Sequence, residues 1–137
     1  MKNPIVSIIL AVIVILVVSL GMLYASVYVF SSVTEEYYNQ VFRSNSYGAD
    51  MLFYIHPFVL AGALYWFWDH SKTQMKGSLV AQAVMASLVY GVVALVPVLL
   101  LTFSAINVSA TMVFTWLGYG VVQAFCGLLV ISKNHPA

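Results

Sequence analysis

The stretch that decides the fold is PIVSIILAVIVILVVSLGMLYASVYVF, residues 4 to 30. It contains no Asp, Glu, Lys or Arg. A helix crosses the hydrocarbon core of a bilayer with roughly 20 apolar residues, so this run is long enough to span. Its apolar part, at about 26 residues, also exceeds the roughly 7–15 of a signal-peptide core. Lys2 supplies a basic start, but only a poor cleavage signal stands near Ala25. The run is read as a retained spanning helix.

Working outward, the rest of the chain has the same character. Of its 137 residues, 63% are hydrophobic and only 7% charged. Soluble domains carry about 25% charged residues. A chain this short cannot bury so much apolar surface in water, which places it in the membrane class. Three more apolar runs follow, at about 50–69, 79–103 and 109–132. Backbone polar groups in lipid must be satisfied internally, so each run is expected to be a helix. The predicted fold is all-α: one transmembrane domain over residues 1–137, an integral membrane four-helix bundle. Net charge is +1 with no basic or acidic block, which gives no sign of a nucleic-acid partner. Cys126, the single cysteine, cannot form an intrachain disulfide and is read as a small packed hydrophobe.

Orientation follows from Lys and Arg in the short flanks. Lys2, Lys72, Lys76 and Lys133 fall on one side of a four-helix topology, and Arg43 alone falls on the other. Both termini are therefore expected to be cytoplasmic. Trp66 and Trp68 fit an aromatic belt on that side.

The outer loop, 31–49, is the one long connection. "SVTE" at 32–35 has the capping-box form, with Ser32 as N-cap and Glu35 three residues on. Tyr38, Val41 and Phe42 recur at helical spacing, so a short interfacial helix between the first two spans is expected, closed by the turn residues Ser44 to Gly48. The other outer turn holds Asn107 and Ser109, either of which could cap the last helix.

Membrane helices associate through small residues that let backbones approach. Ala83, Ser87 and Gly91 in the third run, and Gly120 and Ala124 in the fourth, are four residues apart within each run, with Gly127 close by. Gly21 and Ala25 offer the same spacing in the first. At about 1.5 Å per residue, Gly91 and Gly120 both fall roughly 17 Å below the outer surface, so the two helices are expected to cross glycine to glycine.

Polar residues inside a membrane are costly and often functional. No Asp, Glu, Lys or Arg lies deep in any run, and His56 is the only acid–base group there. It lies about 9 Å below the outer end of its helix, with Tyr24 and Thr115 at a similar level and Tyr119 about one turn deeper. Tyr54 is two residues away. His56, Tyr24, Tyr54, Thr115 and Tyr119 are the candidate ligand-binding residues. The imidazole is read first as a neutral bridge between helices; the alternatives are a proton-linked group, a haem or metal ligand, or a contact to a ligand headgroup. One histidine cannot supply both axial ligands of a haem unless the chain pairs with itself.

Pro57 removes a donor from the carbonyl of Phe53, which points to a bent, continuous second helix. Pro97 is expected to kink the third in its outer third. Together they suggest a splayed outer mouth lined by His56 and aromatic side chains. Asp69, His70 and His135 are read as solvated interfacial residues, so no metal site is expected, and no cofactor is implied. Paired thiols, nucleophile elbows, phosphate-binding glycine loops and metalloprotease motifs are all absent. The expected function is therefore a non-catalytic accessory or assembly component in a lipid bilayer, with a membrane-protein partner or a second copy. The alternative is a binder or carrier of a lipid- or quinone-like molecule in a cavity near His56.

Overall fold

The computed structural model describes residues 3–29, 31–38 and 47–136, with backbone alone for 47–50. These residues are helical and contain no strand. Helix α1 is Pro4–Val29, α2 is Ser31–Glu36, and α3 is Tyr47–Ser71, extended by a 3-10 turn at Lys72–Gln74. Helix α4 is Leu79–Tyr90, followed by a π-helical turn at Gly91–Leu95, then α5, Val96–Ala105, and α6, Ala110–Asn134. Four helical rods are long and apolar enough to span a membrane: α1, α3, the α4–α5 rod and α6. They run antiparallel in sequence. Residues 4, 72–79 and 134 share one pole, and residues 29, 31–38, 47 and 105–110 share the other, called here the loop pole.

The helix ends have local causes. Asn3 precedes Pro4, and its side-chain carbonyl accepts the N–H of Ile5 at 3.0 Å. Proline at the first helical position has no N–H to leave unsatisfied. Ser78 and Ser109 are N-caps, accepting from the N–H groups of Ala81 at 3.3 Å and Met112 at 3.1 Å. Gly77, at φ 108°, makes the left-handed turn before Ser78 that a side chain would strain.

Helix α6 is the hub. It packs on α1, α3 and α4, and α1 packs on α3 as well. The contact faces follow helical spacing. Helix α1 contributes Ala11, Val12 and Ile15; α3 contributes Leu60, Ala61, Leu64 and Trp68; α6 contributes Ala124, Leu128 and Ile131. Gly127 is where three helices meet. A Cβ placed there would lie 2.8 Å from Ile15 Cδ1 and 3.3 Å from Leu64 Cδ1. Most of each rod still faces outward: no more than 28% of the apolar stretch of any of the four is buried within the chain.

Four details differ from the sequence expectations. Ser32 lies inside α2 rather than at its cap, because the helix begins at Ser31. The described part of that helix ends at Glu36, with Tyr38 in the turn beyond; Val41, Phe42 and Ser44 lie outside the described residues. Helix α3 starts at Tyr47, three residues before the expected run, and is continuous through Pro57 as expected. In the third rod the irregularity precedes Pro97, as the π-turn. Val96 donates its N–H to Gly91, five residues back, and Pro97 has none to donate. The wider turn takes up the missing bond ahead of the proline ring. Finally, Gly21 and Ala25 of α1 are exposed and make no helix crossing.

Candidate functional site

His56 stands on a part of α3 that has little else around it. Residues 51 to 56 are all exposed, as are Phe58 and Val59; only Pro57 turns inward and is buried. The imidazole has no hydrogen-bond partner among the described residues. Tyr54 is also exposed and meets Phe53 edge-on at 5.5 Å. Tyr24, on α1, is 66% exposed. Thr115 turns its hydroxyl back to the carbonyl of Thr111 at 2.8 Å. Tyr119 buries its phenol oxygen without a hydrogen-bond partner among the described residues. None of the four hydrogen-bonds His56.

One set of polar groups that bridge helices lies between α1, α2 and α6. Gln123 donates its side-chain amide to Ser19 Oγ at 2.8 Å, and Ser19 donates its hydroxyl to the carbonyl of Ile15 at 2.7 Å. Two turns nearer the loop pole, Trp116 donates its indole N–H to the Tyr37 oxygen at 2.6 Å. Thr34 donates to the carbonyl of Ser26 at 3.1 Å. The backbone N–H of Ser109 donates to the Glu36 carboxylate at 3.0 Å. Hydrogen bonds from the Ser109 hydroxyl and backbone hold the Glu36 carboxyl below the usual carboxylate range. Beneath these bonds Val33, Val108 and Met112 form a small apolar cluster. Together they fasten α2 to the α5–α6 turn.

The opposite pole carries a third arrangement. His135 is only 7% exposed, so it is not the solvated residue the sequence suggested. The fully buried Trp68 donates its indole N–H to the His135 carbonyl at 2.7 Å. The His135 ring packs on Tyr65, with centroids 5.5 Å apart. Its Nε2 lies 2.9 Å from Asp69 Oδ1 and 2.7 Å from Lys72 Nζ, while Lys72 and Asp69 pair at 2.8 Å. One Nε2 cannot donate to the carboxylate and accept from the ammonium at once, so the triad has two alternative bonding patterns. His70 stays apart, its ring tilted against Trp66 with centroids 4.6 Å apart and its Nδ1 2.8 Å from the Trp66 carbonyl. The chemistry available here is ion pairing and anchoring; among the described residues no three His, Cys, Asp or Glu side chains converge to hold a metal.

The small residues expected to pack are brought together between α4 and α6. Ala83, Ser87, Gly91 and Ala124 are buried and Gly120 is half-buried. The glycines do not meet each other. A Cβ on Gly91 would come within 3.0 Å of Val121 Cγ2, and one on Gly120 within 2.6 Å of Leu95 Cδ1. Each notch takes an aliphatic side chain from the facing rod.

Beyond Leu95, α5 separates from α6 and leaves an apolar groove of about 280 Å³ near the loop pole. It is lined by Leu99, Leu100 and Phe103 of α5 and by Val113, Phe114 and Leu117 of α6. The sequence placed an aromatic cavity beside His56. An apolar groove lies between the other two rods, where the π-turn and Pro97 interrupt regular helix, while α3 is continuous through Pro57. The His135 anchor and the groove were both missed. Trp68 before Asp69 and Pro97 six residues after the Tyr90-Gly91 pair were the available signals.

These features define an all-helical chain of the multi-span type by length and composition. Comparison with protein-family models, curated proteins and solved structures gives no match.

Proposed function

We propose that the protein is a multi-pass membrane component with both termini cytoplasmic, and that it acts by associating with another membrane protein rather than by catalysis. The observation that carries this reading is the exposed first half of α3. Residues 51–56 face away from the chain on every side and bring the polar groups of Tyr54 and His56 with them. An imidazole facing hydrocarbon is unfavourable, and such residues characteristically face a protein neighbour or a water-filled cavity. A partner helix against this segment would satisfy the ring and cover its aromatic neighbours. The clustering of Lys72, Lys76 and Lys133 at the pole shared by the two terminal helix ends supports the orientation.

The test is site-specific photo-crosslinking in native membranes. A photoreactive residue at Tyr54 should give a discrete protein adduct, and one at Leu101, exposed on α5, should give lipid adducts only. His56→Phe should abolish the Tyr54 adduct. Lipid adducts alone from Tyr54 would defeat the reading.

A second reading is supported by the groove between α5 and α6: a binder of an apolar or amphipathic molecule at that site.

A further inference from the structure

We propose that the groove between α5 and α6 holds one acyl chain of a phospholipid from the leaflet at the loop pole. This deepens the second reading and rests on the membrane assignment.

The groove has a floor and a rim. Val96, Leu99, Val113 and Leu117 are half-buried and form the floor; Leu100 and Phe114 are exposed and form the rim. Its cause is local. Up to Leu95 the third rod is held close to α6, with Leu95 seated against Gly120. Past the π-turn and Pro97, α5 packs less closely on α6 than α4 does, which leaves the groove. The gap follows two antiparallel segments of about seven residues, or roughly 10 Å of helix.

The lining chemistry selects the occupant. Every lining residue is aliphatic or aromatic. The nearby hydroxyls are already used within their own helices: Thr102 donates to Val98 at 2.9 Å and Thr115 to Thr111 at 2.8 Å. A hydroxyl, ketone or charge buried here would lose its water without gaining a partner. That disfavours the polar ring of a quinone or the hydroxyl of a sterol at this depth. Water is excluded for the same reason, since a buried water needs two to four polar partners. A volume of about 280 Å³ is roughly twice that of an engineered apolar cavity that stays dry and binds benzene. Left empty, its walls would lose dispersion contacts on one side. A flexible hydrocarbon chain meets all these conditions.

The headgroup would lie beyond the α5–α6 turn. That turn, Ile106 to Ser109, has no Lys or Arg, and Glu36 is bonded to its last residue. Among the described residues at this turn no cation faces an anionic headgroup, so retention is expected to depend on the chain and not on headgroup charge.

The experiment is native mass spectrometry of the detergent-purified full chain, delipidated and then incubated with phosphatidylcholine or phosphatidylglycerol. Wild type and the outward-facing control Leu101→Trp should each retain one lipid, with the two headgroups equivalent. Leu99→Trp and Val113→Trp fill the floor and should lower retention at least tenfold. Equal retention in the filled variants, no retained lipid in wild type, a preference for phosphatidylglycerol, or retention of an apolar molecule without a glycerophosphate headgroup would each overturn the proposal. If the filled variants do not fold, wild type decides the matter. Photoreactive-tail phosphatidylcholine should label Leu100 and Phe114 in preference to Val98 and Leu101, and even labelling of all four counts against the groove. Membrane assignment is checked separately: release of the protein by alkaline carbonate would defeat that reading before any lipid is added.

Discussion

Gln123 of α6 donates its side-chain amide to Ser19 of α1 at 2.8 Å, well inside two of the four long apolar rods. The pair is asymmetric. Ser19 also donates to the carbonyl of Ile15, so its hydroxyl keeps a partner if Gln123 is removed. The Gln123 amide has no other hydrogen-bond partner among the described residues. Side-chain hydrogen bonds between membrane helices average about 0.6 kcal/mol and reach about 1.7. Gln123→Leu should therefore cost under about 1 kcal/mol, and Ser19→Ala, which strands a polar group, about 1–2 kcal/mol. Reversible unfolding in mixed micelles measures both, and the double mutant should recover part of the Ser19→Ala loss.

The glycines give a ranked series. Gly127→Ala forces a methyl to within 2.8 Å of Ile15 Cδ1, at a junction also closed by Leu64. Overpacking of this kind costs about 1–3 kcal/mol. Gly120→Ala meets Leu95 at 2.6 Å, but the obstructing atom is the free end of a half-buried side chain that can turn aside. Its cost should be smaller. Gly21→Ala meets nothing within 4 Å and should be neutral or stabilising, by up to about 1 kcal/mol from helix propensity. Thermal unfolding in detergent tests the order Gly127, Gly120, Gly21.

How far these features could be read from sequence depends on the kind of information each needs. The four rods follow from run length alone, and Ala83, Ser87 and Gly91 could be recognised as a packing face because helical spacing puts them on one side. Rise per residue also put Gly91 and Gly120 at comparable depth. Depth does not supply rotation about the helix axis, and that is what separates His56 from Tyr24, Thr115 and Tyr119. Nor does it supply register to within one turn, so the glycines were expected to face each other instead of Val121 and Leu95. The π-turn ahead of Pro97 accompanies its absent N–H, which sequence spacing alone does not place. His135 was read as solvated because its partner, Trp68, is 67 positions away.

The Glu36–Ser109 contact makes the loop pole sensitive to acid. Glu36 is held below its ordinary value of 4.5 by hydrogen bonds to its ionised form. A carboxyl lowered in this way contributes its full stabilisation above the ordinary value. The contribution falls as pH drops below that value and is lost once pH passes the lowered one. Exchange of the Ser109 and Met112 amides should therefore be slow near pH 6 and faster, after correction for intrinsic rates, below about pH 4. In Glu36→Gln the corrected rates should not change over that range. An unchanged wild-type profile would mean that the contact does not hold α2 in place.

The last prediction concerns Trp68, which is fully buried at the opposite pole and ties α3 to the end of α6. Its ring fills core volume beside α1 and α6, and its N–H is the donor to the His135 carbonyl. Trp68→Phe removes both the donor and part of the ring. A lost hydrogen bond contributes about 0.5–1.5 kcal/mol, and the residual cavity adds to it, so a total near 2–3 kcal/mol is expected. Trp68→Leu deletes more volume and should cost more. The two contributions separate in the local readout. If the indole N–H anchors the tail, residues beyond Asn134 should become open to carboxypeptidase in Trp68→Phe, while the seam at Gln123 and Ser19 keeps its amide protection. His135→Ala removes the ring contacts with Tyr65, Asp69 and Lys72 but keeps the backbone carbonyl, and should leave the tail largely protected. Equal loss of protection in the two variants would assign the anchor to the imidazole instead of the indole bond.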